Sequence, residues 1–120
     1  MQYILLIYDD EKNWGRFTEA ERGRIFQEYT DFTKEIVKSG HHRAGEALQP
    51  APTAACVRQK SGKSVSTDGP YAETKEQLGG FYLIEAKDRD EAVAIAGRIP
   101  SVRYGGTVEV RPILPMSKAS

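Results

Sequence analysis

The sequence predicts an α+β fold: a ferredoxin-like β-α-β-β-α-β sandwich with a mainly antiparallel sheet and an extra hairpin. An apolar run at residues 3–8 opens the chain as a strand. Two segments with helical periodicity and capping signals follow, at residues 18–39 and 88–98. Shorter strand patterns lie between and after them. We expect both helices on one face of the sheet, which leaves the other face, if apolar, to a second subunit.

Length, charge and cysteine content restrict the class of protein. The 120 residues predict one domain over residues 1–113 and a tail at 114–120. Seventeen basic residues balance seventeen acidic ones, which argues against a nucleic-acid-binding surface. Cys56 is the single cysteine, so no intrachain disulfide can form. The N-terminal apolar run is too short for a signal peptide or membrane span, and we expect a cytoplasmic protein without membrane partners.

The N-terminal run is predicted to be a central strand, because an edge strand would show polar alternation. Residues 11–17 contain Asn13, Trp14 and Gly15 and are predicted to be a loop. Trp14 is interpreted as a lid over the core in preference to a ligand platform.

The long helix at residues 18–39 carries the clearest signals in the chain. Thr18 and Glu21 form a capping-box pattern at its start, and Gly40 is the expected residue just beyond its end. A stripe of residues at three- and four-residue spacing is predicted to face the core. The stripe comprises Phe26, Tyr29, Phe32, Thr33, Ile36 and Val37.

Two histidines, His41 and His42, come directly after this helix. A histidine near a helix C-terminus interacts favourably with the helix dipole when charged, so a solvated cap is preferred to a catalytic role. Adjacent side chains point in different directions and no third ligand has suitable spacing, so no metal site is predicted.

The second half of the chain alternates between strands and turns. Residues 44–48 predict a short strand, and residues 54–59 and 64–67 predict a hairpin. Cys56 in the hairpin is interpreted as a small core residue, since no base for a nucleophile is identifiable. Residues 80–86 predict another strand, and Asp88 with Glu91 starts a second helix that ends near residue 98 before Pro100. Residues 107–111 alternate as a last strand.

The segment at residues 67–81 concentrates turn-forming and ionisable residues and is the candidate site. Carboxylates beside a lysine can separate each other's pKa values and supply acid and base roles. Asp68 or Glu73 is the predicted base, and Lys75 is predicted to hold an anionic or carbonyl substrate. Ligand-binding roles are predicted for Tyr8, His42, Gly69, Pro70, Tyr71, Glu76 and Arg111.

Other interpretations of this segment stay open. It could be a tight turn followed by one solvated helical turn at residues 73–76, a latch across a dimer, or a protein-binding surface. No phosphate-binding glycine loop or metal-ligand cluster is present in the sequence, so neither a cofactor nor a metal is expected. The function is accordingly either a small acid–base enzyme or ligand-binding protein, or a non-catalytic dimer that senses a ligand or binds a regulatory partner.

With these residues placed, the sequence resembles the DGPF family of YCII-related proteins. The resemblance extends over nearly the whole chain and includes A-G-E-A-L-Q-P at 44–50, T-D-G-P-Y-A-E-T-K-E-Q-L-G-G-F-Y at 67–82 and V-E-V-R-P at 108–112. It implies a homodimer of the dimeric α/β-barrel type, a bacterial source and a link to extracytoplasmic-function sigma factors. At least one relative in the wider group is a lyase-type enzyme.

One mechanism proposed for the wider group does not fit this sequence. A His–Asp catalytic pair is proposed for the wider group, with its histidine inside the first helix. This chain has Phe26, Gln27 and Glu28 there, so that pair is not expected here. Tyr71 also replaces the phenylalanine that usually follows Asp-Gly-Pro in the family.

Overall fold

Four antiparallel strands form the central sheet of the computed structural model, which describes residues 1–116. The strands are β1 (Gln2–Asp9), β2 (His42–Ala47), β3 (Ala55–Lys60), β4 (Lys63–Asp68), β5 (Gln77–Glu85) and β6 (Thr107–Pro112). The helices are α1 (Glu11–Arg16), α2 (Glu19–Lys38) and α3 (Arg89–Ala96), with 3₁₀ turns at Ala51–Thr53 and Pro100–Tyr104. The sheet order is β2-β5-β1-β6, and β3 pairs with β4 in a separate hairpin. The predicted α+β class, antiparallel sheet and extra hairpin are confirmed.

Strand β1 is central, as its unbroken apolar pattern predicts. It pairs with β5 on one side and β6 on the other. Because side chains alternate along a strand, Leu5 and Ile7 point to the helical side, where both are buried. They meet Phe32 and Ile36 of α2 in one core. Burying each such side chain contributes about 1.5–3 kcal/mol.

The capping signals of α2 are formed as predicted. The backbone N–H of Glu21 donates to Thr18 Oγ1 at 3.1 Å, and the N–H of Thr18 donates to Glu21 Oε1 at 2.8 Å. Gly40 follows the helix with a φ of +83°, a conformation in which glycine is favoured.

Part of the predicted core stripe of α2 is wrong. Phe26 is 65% exposed and Val37 is 56% exposed, whereas Ile25, outside the predicted stripe, is buried. Successive helical residues are rotated by about 100°. The core-facing row therefore runs through Ile25, Phe32 and Ile36, and the residues directly after Ile25 and Ile36 turn away from it.

Residues 11–16 form helix α1, so the predicted loop is wrong. The helix starts where the N–H of Lys12 donates to Asp10 Oδ1 at 3.0 Å. Six residues are too few to show helical periodicity, which explains why the sequence pattern does not predict it. Trp14 is 41% exposed and does not belong to the buried core, so its predicted position over the core is also wrong.

The β3–β4 hairpin, residues 55–68, is confirmed and is here named the arm. Its turn has Ser61 and Gly62 at φ values of 51° and 79°, as a tight two-residue hairpin requires. Its strands pair with each other and not with the central sheet. Cys56 is half-buried, and its thiol donates to the Gly69 carbonyl at 3.4 Å. Its predicted place in the core is wrong, because the arm lies outside that core.

The second helix starts as predicted but ends earlier. Asp88 caps it by accepting from the N–H of Glu91 at 2.9 Å. Helix α3 ends at Ala96, and Pro100 begins a 3₁₀ turn. The predicted tail, 114–120, has no regular structure through residue 116, and the rest of it lies outside the described residues. Among residues 1–116, no helix is long and apolar enough to cross a membrane.

The face of the sheet opposite the helices has an apolar centre. Strand alternation places Ile4 and Leu6 of β1 on this open face, where they pair with Leu83 and Phe81 of β5. Glu109 and Arg111 of β6 lie beside them and form an ion pair. The uncovered face therefore meets the condition that the sequence analysis sets for contact with a second subunit.

Candidate functional site

A cavity of about 620 Å³ lies on the helical side of the sheet, between α1, α2 and the adjoining ends of β2 and β5. Cavities that hold small molecules in proteins have volumes of about 300–1,000 Å³. The cavity is therefore large enough for a compact organic ligand.

One wall of the cavity is aromatic. Trp14 of α1 packs edge-on against Phe17 and Phe26, with ring centroids 6.3 Å and 5.6 Å apart. Phe17 in turn packs edge-on against Tyr104 at 5.7 Å. All four residues line the cavity. This explains why Trp14 and Phe26 lie outside the hydrophobic core: they form the apolar wall of a different space.

Another part of the cavity lining is polar and is formed by Asp9, Ser101 and Tyr29, named here the Asp9 cluster. Asp9 ends β1, Ser101 lies in the 3₁₀ turn after α3, and Tyr29 is in α2. The Ser101 hydroxyl donates to Asp9 Oδ2 at 3.1 Å, and the Tyr29 and Ser101 hydroxyls share a short hydrogen bond.

The direction of the hydrogen bonds follows from the number of available protons. A serine hydroxyl has a single proton, and while Asp9 is ionised Ser101 uses its proton toward the Asp9 carboxylate. Tyr29 must then donate to Ser101. Ser101 is only 6% exposed, so water has little access to the middle of this row of hydrogen bonds. The three groups form two consecutive hydrogen bonds, in which Tyr29 donates to Ser101 and Ser101 donates to the Asp9 carboxylate.

The surroundings of Asp9 raise the pKa of its carboxyl group. Burial raises the pKa of Asp9, the hydrogen bond from Ser101 acts in the opposite direction, and the charge of Glu76 adds to the increase. Burial likewise raises the pKa of Tyr29. Carboxyl groups with raised pKa values are typical of general acids.

Gly106 makes room for the Asp9 carboxylate. A Cβ at position 106 would overlap Asp9 Oδ1 and lie 3.0 Å from the Ser101 backbone oxygen. The N–H of Gly106 also donates to that Ser101 oxygen at 2.8 Å. The Gly105–Gly106 pair therefore brings the turn close enough to β1 for Ser101 to contact Asp9.

A second polar group borders the same cavity. The hydroxyls of Thr33 and Tyr82 are 2.8 Å apart, and the His42 ring lies edge-on to Tyr82 with centroids 6.2 Å apart. Burial raises the pKa of Tyr82. Gly45 permits this arrangement, because a Cβ there would lie 2.7 Å from the Tyr82 ring. The cavity thus offers hydroxyl groups at two separate places.

Most of the residues predicted from the sequence lie elsewhere. Asp68, Glu73 and Lys75 are exposed and do not line the cavity. Of the predicted ligand-binding residues, His42 alone is among the residues that line it. Glu76 is exposed, but it accepts a hydrogen bond from Thr107 at 3.2 Å and its charge acts on Asp9. The catalytic roles of Asp68, Glu73 and Lys75 stay predictions.

The other predicted residues occupy three separate surroundings. Gly69 has a φ of +100°, as expected for the predicted turn, and Pro70 after it is half-buried. Tyr71 is 84% exposed, with the Arg58 guanidinium 5.9 Å from its ring centroid. Tyr8 and Arg111 belong to the open face of the sheet, where Arg111 pairs with Glu109.

The loop at residues 69–76 is irregular, so the helical turn considered at 73–76 is wrong. The Gln77 side-chain amide holds the loop instead, donating to the carbonyls of Ala72 at 3.0 Å and Thr74 at 2.8 Å. Among residues 1–116, no group of three or more histidine, cysteine, aspartate or glutamate side chains is arranged to hold a metal ion.

Comparisons with known proteins place the chain in a family. The YCII-related domain matches residues 1–117. A protein of Rhizobium meliloti (strain 1021), named only as uncharacterised, is 35% identical over 114 residues, which cover 94% of this chain and 92% of the relative. The chain therefore belongs to the YCII-related family.

Proposed function

We propose that this protein binds a small molecule in the cavity and acts on it by acid–base chemistry through the Asp9 cluster, as a lyase- or isomerase-like enzyme without a cofactor. The observation that carries the proposal is the hydrogen-bonded chain Tyr29–Ser101–Asp9 facing an aromatic-walled cavity. Proteins commonly place a few convergent polar groups in an otherwise apolar pocket where a ligand is oriented.

The chain of hydroxyls supports a defined proton transfer. A protonated Asp9 gives its proton to the ligand and becomes a carboxylate. The Ser101 hydroxyl then donates to that carboxylate, and Tyr29 donates to Ser101, so the new charge is stabilised by a charge-assisted hydrogen bond. In the reverse direction the carboxylate removes a proton from the ligand. Asp9 is the proposed acid or base, and the two hydroxyls orient it.

The Asp-Gly-Pro segment has a separate proposed role. Exposed side chains at Asp68, Glu73 and Lys75 suit a latch between two copies of the chain better than an enclosed site. The apolar open face of the sheet supports a homodimer of the dimeric α/β-barrel type, and the Asp-Gly-Pro motif within residues 67–82 supports the DGPF subgroup. Cytoplasmic location remains part of this proposal.

A second candidate function is a non-catalytic dimer that senses a ligand or binds a regulatory partner, including one in an extracytoplasmic-function sigma factor system. The observation that favours it is the exposed arm, whose Val57 is 70% and Val65 43% exposed. An isolated two-stranded hairpin is only marginally stable in water. The arm would therefore gain stability by packing against a partner.

The location of the site can be tested with indole as a probe, by following backbone amide and indole N–H signals in a two-dimensional NMR titration. We expect saturable shifts at Trp14, Ala47 and Gly80, which line the cavity, and none at residues 68–76. Shifts confined to residues 68–76 would support the Asp-Gly-Pro segment as the site and contradict the proposal.

A matched pair of variants sharpens this test. Phe26 and Val37 are both exposed apolar residues of α2, but only Phe26 lines the cavity. Phe26→Ala should weaken indole binding by about fivefold or more, the loss expected for an edge-on aromatic contact. Val37→Ala should leave binding unchanged. Equal effects of the two substitutions would mean that indole does not bind against the aromatic wall.

A further inference from the structure

We infer that the cavity selects a ligand with an aromatic body and a protonated amine, and not the anionic ligand that the sequence suggests. This inference rests on the proposed function, because it concerns the ligand of the same cavity. It follows from the charges around the cavity and from the nature of its apolar wall.

The charged side chains that border the cavity are carboxylates. They belong to Asp9, Asp10, Glu11 and Glu46, and the residues that line the cavity include no lysine or arginine within the described part of the chain. His42 borders the cavity as well. A group of like charges around a concave site raises the local concentration of ligands of the opposite sign.

Arginines close to the cavity are engaged elsewhere. Arg103, next to Tyr104 in sequence, pairs with Glu28 at 3.0 Å. Arg22 donates to the backbone carbonyls of Trp14 and Phe17 and so supports the aromatic wall from outside. An anionic ligand would therefore meet bordering carboxylates without a paired cation, and moving such an anion out of water is costly.

The polar and aromatic groups are suited to the two ends of an arylalkyl amine. Asp9 borders the cavity, and its carboxylate has more lone pairs than the one that accepts from Ser101, so it can also accept a charge-assisted hydrogen bond from an ammonium group. The wall formed by Trp14, Phe17 and Phe26 can hold an aromatic ring by edge-on packing. The same rings attract a nearby cation, with tryptophan the most effective.

Three probes that share one ring system test this inference: tryptamine, tryptophol and indole-3-acetate. They carry a cationic, a neutral and an anionic head group, and their dissociation constants would be measured by calorimetry at pH 7 with the full chain. We expect tryptamine to bind about tenfold more tightly than tryptophol, because one charge-assisted hydrogen bond contributes about that much affinity. We expect indole-3-acetate to bind most weakly.

Two variants distinguish the effect of the Asp9 carboxylate in the cavity from the effect of a carboxylate on the surface. Asp9→Asn should abolish most of the preference for tryptamine over tryptophol. Asp31 is an exposed carboxylate of α2 that accepts from Gln27 and does not line the cavity, so Asp31→Asn should retain the preference. Folding of both variants would be checked by the dispersion of their amide spectra.

The outcomes distinguish this inference from the proposed function. If tryptophol or indole-3-acetate binds at least as tightly as tryptamine, the preference for an amine is wrong, while a small-molecule site in the cavity stands. If Asp9→Asn and Asp31→Asn reduce the preference equally, the amine does not bind at Asp9, and the inference is also wrong. If none of the three probes binds, the proposed function fails and this inference fails with it.

Discussion

An alanine at position 106 would place its Cβ where the Asp9 carboxylate now lies. Asp9 is a half-buried acid at the end of a central strand, and it stays there because a turn from far along the chain supplies the Ser101 hydroxyl. Burial raises its pKa, so the folded chain holds this proton more tightly than the unfolded chain does. The contribution of the protonated Asp9 to stability is complete below the unfolded pKa and is lost as the pH rises through the folded pKa.

Gly106→Ala should lower the free energy of unfolding by about 1–3 kcal/mol, because the Asp9 carboxylate and the Ser101 backbone have to move apart. Urea unfolding measures this change. Gly23→Ala is the control: Gly23 lies in the second turn of α2 with nothing within 4 Å of an added Cβ, and the substitution should stabilise the helix by about 0.5–1 kcal/mol. Similar effects of the two substitutions would show that Gly106 has no special contact with Asp9.

At the scale of single elements, the sequence predicts what local patterns can encode. The apolar run of β1 and the capping box of α2 are confirmed, because each depends on neighbours within a few residues. Helix α1 could not be predicted in this way, since its six residues contain less than two turns. The prediction that Phe26 faces the core is wrong, because periodicity does not distinguish a residue of the core from one of a cavity wall.

The Asp9 cluster shows why the site was the least predictable part. Asp9 is recognisable only as the polar end of a strand, and 92 residues separate it from Ser101. Nothing local marks Tyr29 as different from the other apolar residues of α2. The composition of the Asp-Gly-Pro segment predicts a site there, but its side chains are spread over an exposed loop. One signal was available: the Gly105–Gly106 pair, which indicates a close approach of two backbones.

At the scale of the whole molecule, the chain is extended for its length. Its radius of gyration is 16.5 Å, compared with about 13–14 Å for a compact domain of this size. It measures 48 × 46 × 18 Å, so it is a flat slab with one face of the sheet uncovered. Such a shape is consistent with assembly through the open face, the homodimer expected from the sequence.

Leu6→Lys tests that assembly. Leu6 lies at the centre of the open face opposite Glu109, which can partly neutralise the new charge in a single chain. We expect sedimentation velocity to show a dimer for the unmodified chain and a shift to monomer for Leu6→Lys. Val93→Lys, on the exposed surface of α3, should leave the assembly unchanged. If the unmodified chain is monomeric at micromolar concentration, or if Leu6→Lys remains dimeric, the open face is not the interface.

The most direct test of the proposed site is a titration of the Asp9 side-chain carboxyl carbon by NMR, in the unmodified chain and in Ser101→Ala. We predict a pKa above the ordinary value of 3.8 in the unmodified chain, because burial outweighs the Ser101 hydrogen bond. In Ser101→Ala the pKa should rise further, since the bond that stabilises the carboxylate is removed. An Asp9 pKa at or below 3.8, or one that Ser101→Ala leaves unchanged, would contradict the assignment of this cluster as the acid–base group of the cavity.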